Sequence, residues 1–410
     1  MTSNPAHPLA SPSSSGEDPD PLRSNGHDHR QPRRAETFGG FEDRVDSGFK
    51  SLRSLARRGR KSTHTSLQEW SAKEPPYHRY VRELVAAGWS SLQDLKDFLD
   101  QPAAQHDELV SVIDITAEKK HHYPNLKNNL ELKNFMAVNR KPDNVVRVYM
   151  AEYNALPSAE LIETFGSGLR LDPRFFQWAI HSKGHVFTPS QRHRAPYVSL
   201  SCGVLDASTS RATDVEKFKV LVYIQRDNLE TETGWTALFL FSSCTKIDMN
   251  IQLLHDPPPF PTSVPPILSE FKSFRKLYLE SFDFLNLADA VQSPFFLVSS
   301  LFRLNCFCWN QVITTIREED DRVGAISDTS LGHAEMIAKT LSVVERGGSY
   351  TWHGREDKAV KETQDALIED FKHLVDQVKL LWETRDKMTA VRKQNSDTRW
   401  STLTNAFTYL

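Results

Sequence analysis

The rhythm of apolar and polar positions changes three times along the chain. Residues 1–37 hold only six apolar residues, Met1, Ala6, Leu9, Ala10, Leu22 and Ala35, among Pro, Ser and Asp. So sparse a stretch cannot bury enough surface to offset its ordering entropy, and a disordered tail is expected over residues 1–75. A folded pattern begins near Tyr77. Tyr80, Leu84 and Val85, then Leu92, Leu95 and Leu99, mark two short helical faces. Leu109–Ile115 (LVSVIDI) and Val145–Tyr153 (VVRVYMAEY) are rich in β-branched residues and read as buried strands. Ser158 opens a helix with Leu161, Ile162 and Phe165 on one face, and Gly166 and Gly168 are expected to stop it. Asp172-Pro173 is an N-cap with Pro at the first helical position, starting a helix that carries Phe175, Phe176, Ala179 and Ile180. Three more strands are predicted at Tyr197–Val204, Phe218–Ile224 and Trp235–Phe241, with Thr231–Gly234 as a polar turn. Residues 76–255 thus predict an α/β-type domain, a mixed sheet flanked by helices.

Residues 255–266 hold six prolines and exclude helix or central strand, so a connector is expected over 256–266. After it the pattern is helical, and residues 267–395 are expected to be almost wholly helix. Ile267–Leu287 is amphipathic, and Pro294–Ile316 is strongly apolar. A helix capped by Ser327 or Asp328 runs to Arg346, its apolar positions at Ala334, Ile337, Leu341 and Val344, and Gly347-Gly348 ends it. The last helix starts near Glu356. Val360, Leu367, Leu374, Leu381 and Met388 repeat every seven residues, with Phe371 and Val378 between them. That heptad pattern predicts a helical hairpin or stalk reaching about residue 394. The fold class expected is α+β, a mixed sheet with flanking helices followed by a long helical hairpin, behind a disordered tail.

Charge and candidate chemistry narrow the functional classes. Lys plus Arg is 50 against 53 for Asp plus Glu, a net charge of -3, which argues against a dedicated nucleic-acid binder. Ser47–Lys61 is locally basic, with Lys50, Arg53, Arg57, Arg58, Arg60 and Lys61 and no acid beyond them. It reads as a solvated basic tract, with membrane-surface binding, or a nuclear-import or nucleic-acid patch, as its functional alternatives. Four cysteines suit a reducing compartment. Cys306 and Cys308 lack a second pair at zinc spacing and read as structural. His121-His122, and His27 with His29, read as isolated pairs in polar loops. Arg303 at the centre of Pro294–Ile316, with no positive-inside flank, makes that helix a buried core helix rather than a span. Glu318, Glu319, Asp320 and Asp321 are the candidate metal residues. Consecutive side chains on a helix diverge, so they read as a solvated terminus or as one share of a cation site between subunits. There is no P-loop, G-x-S-x-G or G-x-G-x-x-G, and no grouping of nucleophile, base and orienter, so no enzymatic activity is expected.

Two stretches carry a resemblance. Strand Val145–Tyr153, then Leu161-Ile162-Glu163-Thr164-Phe165-Gly166, then Leu171-Asp172-Pro173-Arg174-Phe175-Phe176, resembles the soluble domain of the CorA-like magnesium transporters. In that family a strand leads to a helix, an F-G and L-x-P turn, and another helix. The chain's last residues, Leu403-Thr404-Asn405-Ala406-Phe407-Thr408-Tyr409-Leu410, resemble the opening of the first membrane helix in the divergent eukaryotic branch, where an L-T-x-x-A-F motif precedes a Pro and an apolar run. The resemblance covers roughly residues 76–410. The family's Gly-Met-Asn signature has no counterpart here.

The resemblance implies the cytosolic part of a divalent-cation transporter, cut off within residues 396–410 at the start of a membrane helix. Arg399, Leu403, Thr404 and Phe407 would mark where the chain meets the membrane, with basic Arg392, Lys393 and Arg399 on the cytoplasmic side. It also implies a homo-oligomer, a pentamer in that family, and Mg2+ between subunits as a gating signal rather than a resident cofactor. The expected location is the cytosolic face of a membrane for the full-length product, and soluble or peripheral for the chain as written. The alternative is a binding or regulatory module that keeps the fold and transports nothing.

Overall fold

The computed structural model describes residues 75–101, 108–180, 195–205, 215–227, 234–242, 246–248, 271–323 and 330–408. The expected tail, the turn at Thr231–Gly234, the proline-rich connector, and Ser327 and Asp328 lie outside or largely outside them. The described residues fall within one unit.

The apolar runs fold as strands because residues on both faces find cover. Strands β1 (Leu109–Ile115), β2 (Lys120–His122), β3 (Val146–Glu152), β4 (Tyr197–Leu205), β5 (Val215–Arg226) and β6 (Trp235–Phe241) form one sheet of order β2-β1-β3-β6-β5-β4. β3 and β6 run parallel at its centre, and the other neighbours are antiparallel. On one face, Val110, Val112, Tyr149, Ala151, Leu221 and Leu238 pack under helices α1 (Pro76–Ala86), α2 (Gln93–Leu99), α3 (Asn129–Val138), α4 (Ala159–Leu169) and α5 (Pro173–Ile180). On the other, Ile113, Val148, Met150, Cys202, Val222 and Phe239 pack under α6 (Phe274–Ser281), α7 (Leu287–Gln292), α8 (Pro294–Val323), α9 (Ser330–Glu345) and α10 (Lys358–Thr408). The helical half is therefore the second cover of the sheet.

Ser158 caps α4, its Oγ accepting from Leu161 N, and Asp172 Oδ1 accepts from Arg174 N at the start of α5. Two glycines, Gly347 and Gly348, end α9 with positive φ and N–H donors to Val344 and Val343 carbonyls. Four expectations need correction. Gly166 and Gly168 do not stop α4, which runs on to Leu169. A Cβ on Gly166 would lie 2.5 Å from the Tyr77 ring, so that glycine serves a close packing. A short strand β8 (Phe271–Ser273) pairs with β7 (Lys246–Asp248), so strand does occur after residue 270. His121 and His122 belong to β2 rather than to a loop, because β1 lends that segment its hydrogen bonds. In α1 the fully buried positions are Tyr77 and Val81, with Tyr80, Leu84 and Val85 half-buried.

Candidate functional site

α10 is the element that connects the fold to a functional reading. Its heptad positions Val360, Leu367, Phe371, Leu374 and Val378 are buried against α8 and α9. Past Val378 no described residue is fully buried, and Leu381 is the last that packs on the core, half-buried. Every described side chain from Trp382 to Thr398 is exposed, and the helix continues to Thr408. At 1.5 Å per residue, about 45 Å of helix runs beyond its last buried residue. Leu380, Trp382 and Val391 are exposed large apolar residues on this length.

Beside the point where α10 leaves the body, Arg317 Nη2 of α8 donates to Gln377 Oε1 of α10. The backbone of Glu318–Asp321 follows directly as helix, next to the root of the projecting length. Each residue turns about 100° from the last, so the four acids spread around the α8 axis. The side chains of those four residues lie outside the described ones, as do those of Arg399, Leu403, Thr404 and Phe407. Among the described residues no group of three or more His, Cys, Asp or Glu could hold a metal ion. Nor, among them, is any helix long and apolar enough to cross a membrane. α8, the nearest candidate, buries Leu301, Leu304, Cys308 and Val312 in the protein.

Sequence reasoning missed the buried charges that set the frame of the sheet. Arg147 on β3 and Asp114 on β1 are direct register partners, joined by two bonds of 2.7 Å from Nε and Nη2. The guanidinium also donates to Asn139 O and stands 5.8 Å and 5.5 Å from the Tyr123 and Phe135 ring centroids. Burial alone would lower the Arg147 pKa, but the bonds to Asp114 outweigh it and the net shift is upward. On the other face, Arg275 of α6 donates from Nε to Glu152 Oε2 at 2.8 Å and from Nη1 to Ser111 Oγ. Glu163 caps a different helix from its own: its carboxylate accepts from Tyr77 N at 3.0 Å and His78 N at 2.9 Å. Those are orphan donors at the start of α1, where the helix dipole favours a negative charge. The signal in the sequence was a charge inside an apolar run, which stays buried only when paired.

The cysteines follow the structural reading. Cys202 and Cys308 are buried, with thiol pKa values pushed up by burial, and Cys306 on α8 is pushed up to about 12 for the same reason. All three are unbridged.

No family model matches the chain, and no curated protein matches it. Among solved structures, it is similar to the cytoplasmic domain of ZntB from Vibrio parahaemolyticus, at 7% identity and a TM-score of 0.34, over 70% of this chain and 98% of that one. At that TM-score the likeness fixes neither the fold family nor an activity.

Proposed function

We propose that the chain is the soluble part of a CorA-like divalent-cation transporter, in which α10 carries the body's attachment toward a membrane. The observation that carries this reading is the course of α10. It is built into the core through Val378 and then leaves it, every described side chain from Trp382 to Thr398 being exposed while the helix runs on to Thr408. The order of motifs from Val145 to Phe176 supports the same reading, as does Leu403-Thr404-Asn405-Ala406-Phe407, which is one residue shorter than the family's L-T-x-x-A-F. So does a helix with little to hold it except its own backbone, since helices gain most of their stability in proteins from packing.

In this reading the projecting helices of several copies associate along the heptad seam that continues past Leu381 through Met388. Glu318, Glu319, Asp320 and Asp321 then approach the same residues of a neighbouring copy. Convergence between copies supplies what one helix cannot, several carboxylates around one hydrated Mg2+. Occupancy would relieve the repulsion among them and favour the symmetric arrangement, a coupling between ion and assembly. Without that association the chain is a binding module that keeps the fold.

Fractionation of cells expressing the endogenous gene tests the reading. Recovery in the detergent-extracted membrane fraction is the expected result. Recovery wholly in the soluble fraction removes the transporter and leaves the module.

A further inference from the structure

Two histidines fasten the α9–α10 hairpin to the sheet, and their surroundings match. His333 lies in the first turn of α9, and His353 lies in the connection between α9 and α10. Both are buried, at 3% and 8% exposure. Each packs on a tryptophan: His333 on Trp309 of α8 with ring centroids 5.4 Å apart, His353 on Trp235 of β6 at 6.2 Å. Each also faces a cation of β5. Lys217 acts on His333, and Arg226 Nε donates to His353 Nδ1 at 3.1 Å. That bond requires a lone pair on Nδ1, so the His353 ring that fits here is neutral, with its proton on Nε2. Neither Nε2 has a hydrogen-bond partner among the described residues. Lys217 and Arg226 stand at opposite ends of β5, roughly 30 Å apart along the strand, so the two histidines meet the strand's cations at two separate places.

We infer that the α9–α10 hairpin is an acid-released latch, in which protonation of His333 and His353 sets a second cation against Lys217 and Arg226 and detaches α9 from β4 and β5. β5 also carries Glu216 beside Lys217, but no carboxylate acts on either histidine ring, where burial and the β5 cation are the causes. β4 carries no charged residue. Asp227, at the end of β5, is bound to Lys141; Glu356 is bound to Lys361; Glu335 is bound to Lys339. An indole face attracts a cation, but burial and the β5 cation act on the same proton in the opposite direction.

Both histidine pKa values are lowered to about 4 from 6.5, by burial first and by the β5 cation second. Between those values the released hairpin binds more protons than the docked one. Docking is therefore fully favoured above about pH 6.5, weakens as pH falls through the window, and levels off below about pH 4. At pH 5 the linkage amounts to about thirtyfold in the opening equilibrium per histidine.

Amide hydrogen exchange on the whole chain, corrected for intrinsic rates, reads this out. Protection across α9 should fall by more than a hundredfold between pH 7.5 and 5, while β3 and β6 keep theirs. His333→Phe keeps the ring against Trp309, and His353→Asn keeps an acceptor for Arg226. Each should leave a response of about thirtyfold, and the double variant should be flat. An unchanged response in the double variant overturns the latch, as does simultaneous loss of protection in β3 and β6. If the double variant does not fold, Lys217→Met decides: a weaker response of α9 supports the latch, and an undiminished one overturns it. The outcome is independent of any role in cation transport.

Discussion

Among the described residues the edge of the sheet at β4 is closed by side chains rather than by another strand, and one glycine makes that closure fit. Ser201 O accepts from Asn305 Nδ2 at 3.1 Å, Trp309 Nε1 at 3.2 Å and Thr340 Oγ1 at 3.3 Å, and Ser201 N donates to Thr340 Oγ1 at 3.2 Å. These bonds occupy backbone groups that an open edge would offer to another chain. Trp309 can reach them because its benzo ring lies on Gly203. A Cβ there would stand 2.5 Å from Cη2, 2.7 Å from Cζ3 and 2.8 Å from Cζ2. Gly203→Ala must displace a fully buried indole. Overpacking of that kind costs about 1–3 kcal/mol. If the indole shifts far enough to lose Ser201, its buried N–H adds about 1–3 kcal/mol. We expect a net loss of about 2–4 kcal/mol, seen in urea unfolding as a lower midpoint at unchanged m. Trp309→Phe vacates the space the new methyl needs. In that background Gly203→Ala should cost less than about 0.5 kcal/mol, a coupling of about 2 kcal/mol or more in the double-mutant cycle. Strictly additive costs, or a nearly neutral Gly203→Ala in the wild-type background, would show that Trp309 does not depend on this glycine.

Asp114→Ala leaves Arg147 buried without its partner and should cost about 3–5 kcal/mol in chemical denaturation, whereas Asp114→Leu combined with Arg147→Leu should recover most of that loss. Glu163→Ala strips the acceptor from Tyr77 N and His78 N, so it should destabilise by about 1–3 kcal/mol and speed exchange of those amides, with Glu163→Gln milder. Along α10, Leu374→Ala should cost about 2–5 kcal/mol and Val391→Ala less than about 0.5 kcal/mol in thermal unfolding, since only the first residue is buried.

How far the sequence reveals this fold depends on how local each cause is. Leu109–Ile115 and Trp235–Phe241 are legible to the residue, because a strand buried on both faces is apolar at most positions. The heptad of α10 is legible for a similar reason through Val378. Nothing in that repeat marks the residue where packing stops, because the pattern describes a seam and not what fills it. β2 is short and polar and owes its existence to β1, so no local signal announces it. Gly166 was read by its propensity, while its role comes from the Tyr77 ring, 89 positions earlier in the chain.

The charged residues show the same limit most sharply. Asp114 and Arg147 each stand out as a charge within an apolar strand, so a buried pair is legible as a need. That they satisfy each other follows from the register of β1 on β3, which sets them directly opposite. Register depends on long-range pairing and appears in neither strand alone. Glu318–Asp321 poses the converse case. Its composition points to a cation, but four consecutive helical positions stand about 100° apart around the α8 axis, so the run does not share one helix face. A pair like Asp114 and Arg147 is completed within the fold. In the proposed reading the acidic run is completed by a second copy, and the projecting length of α10 beside it is the element that would bring one there.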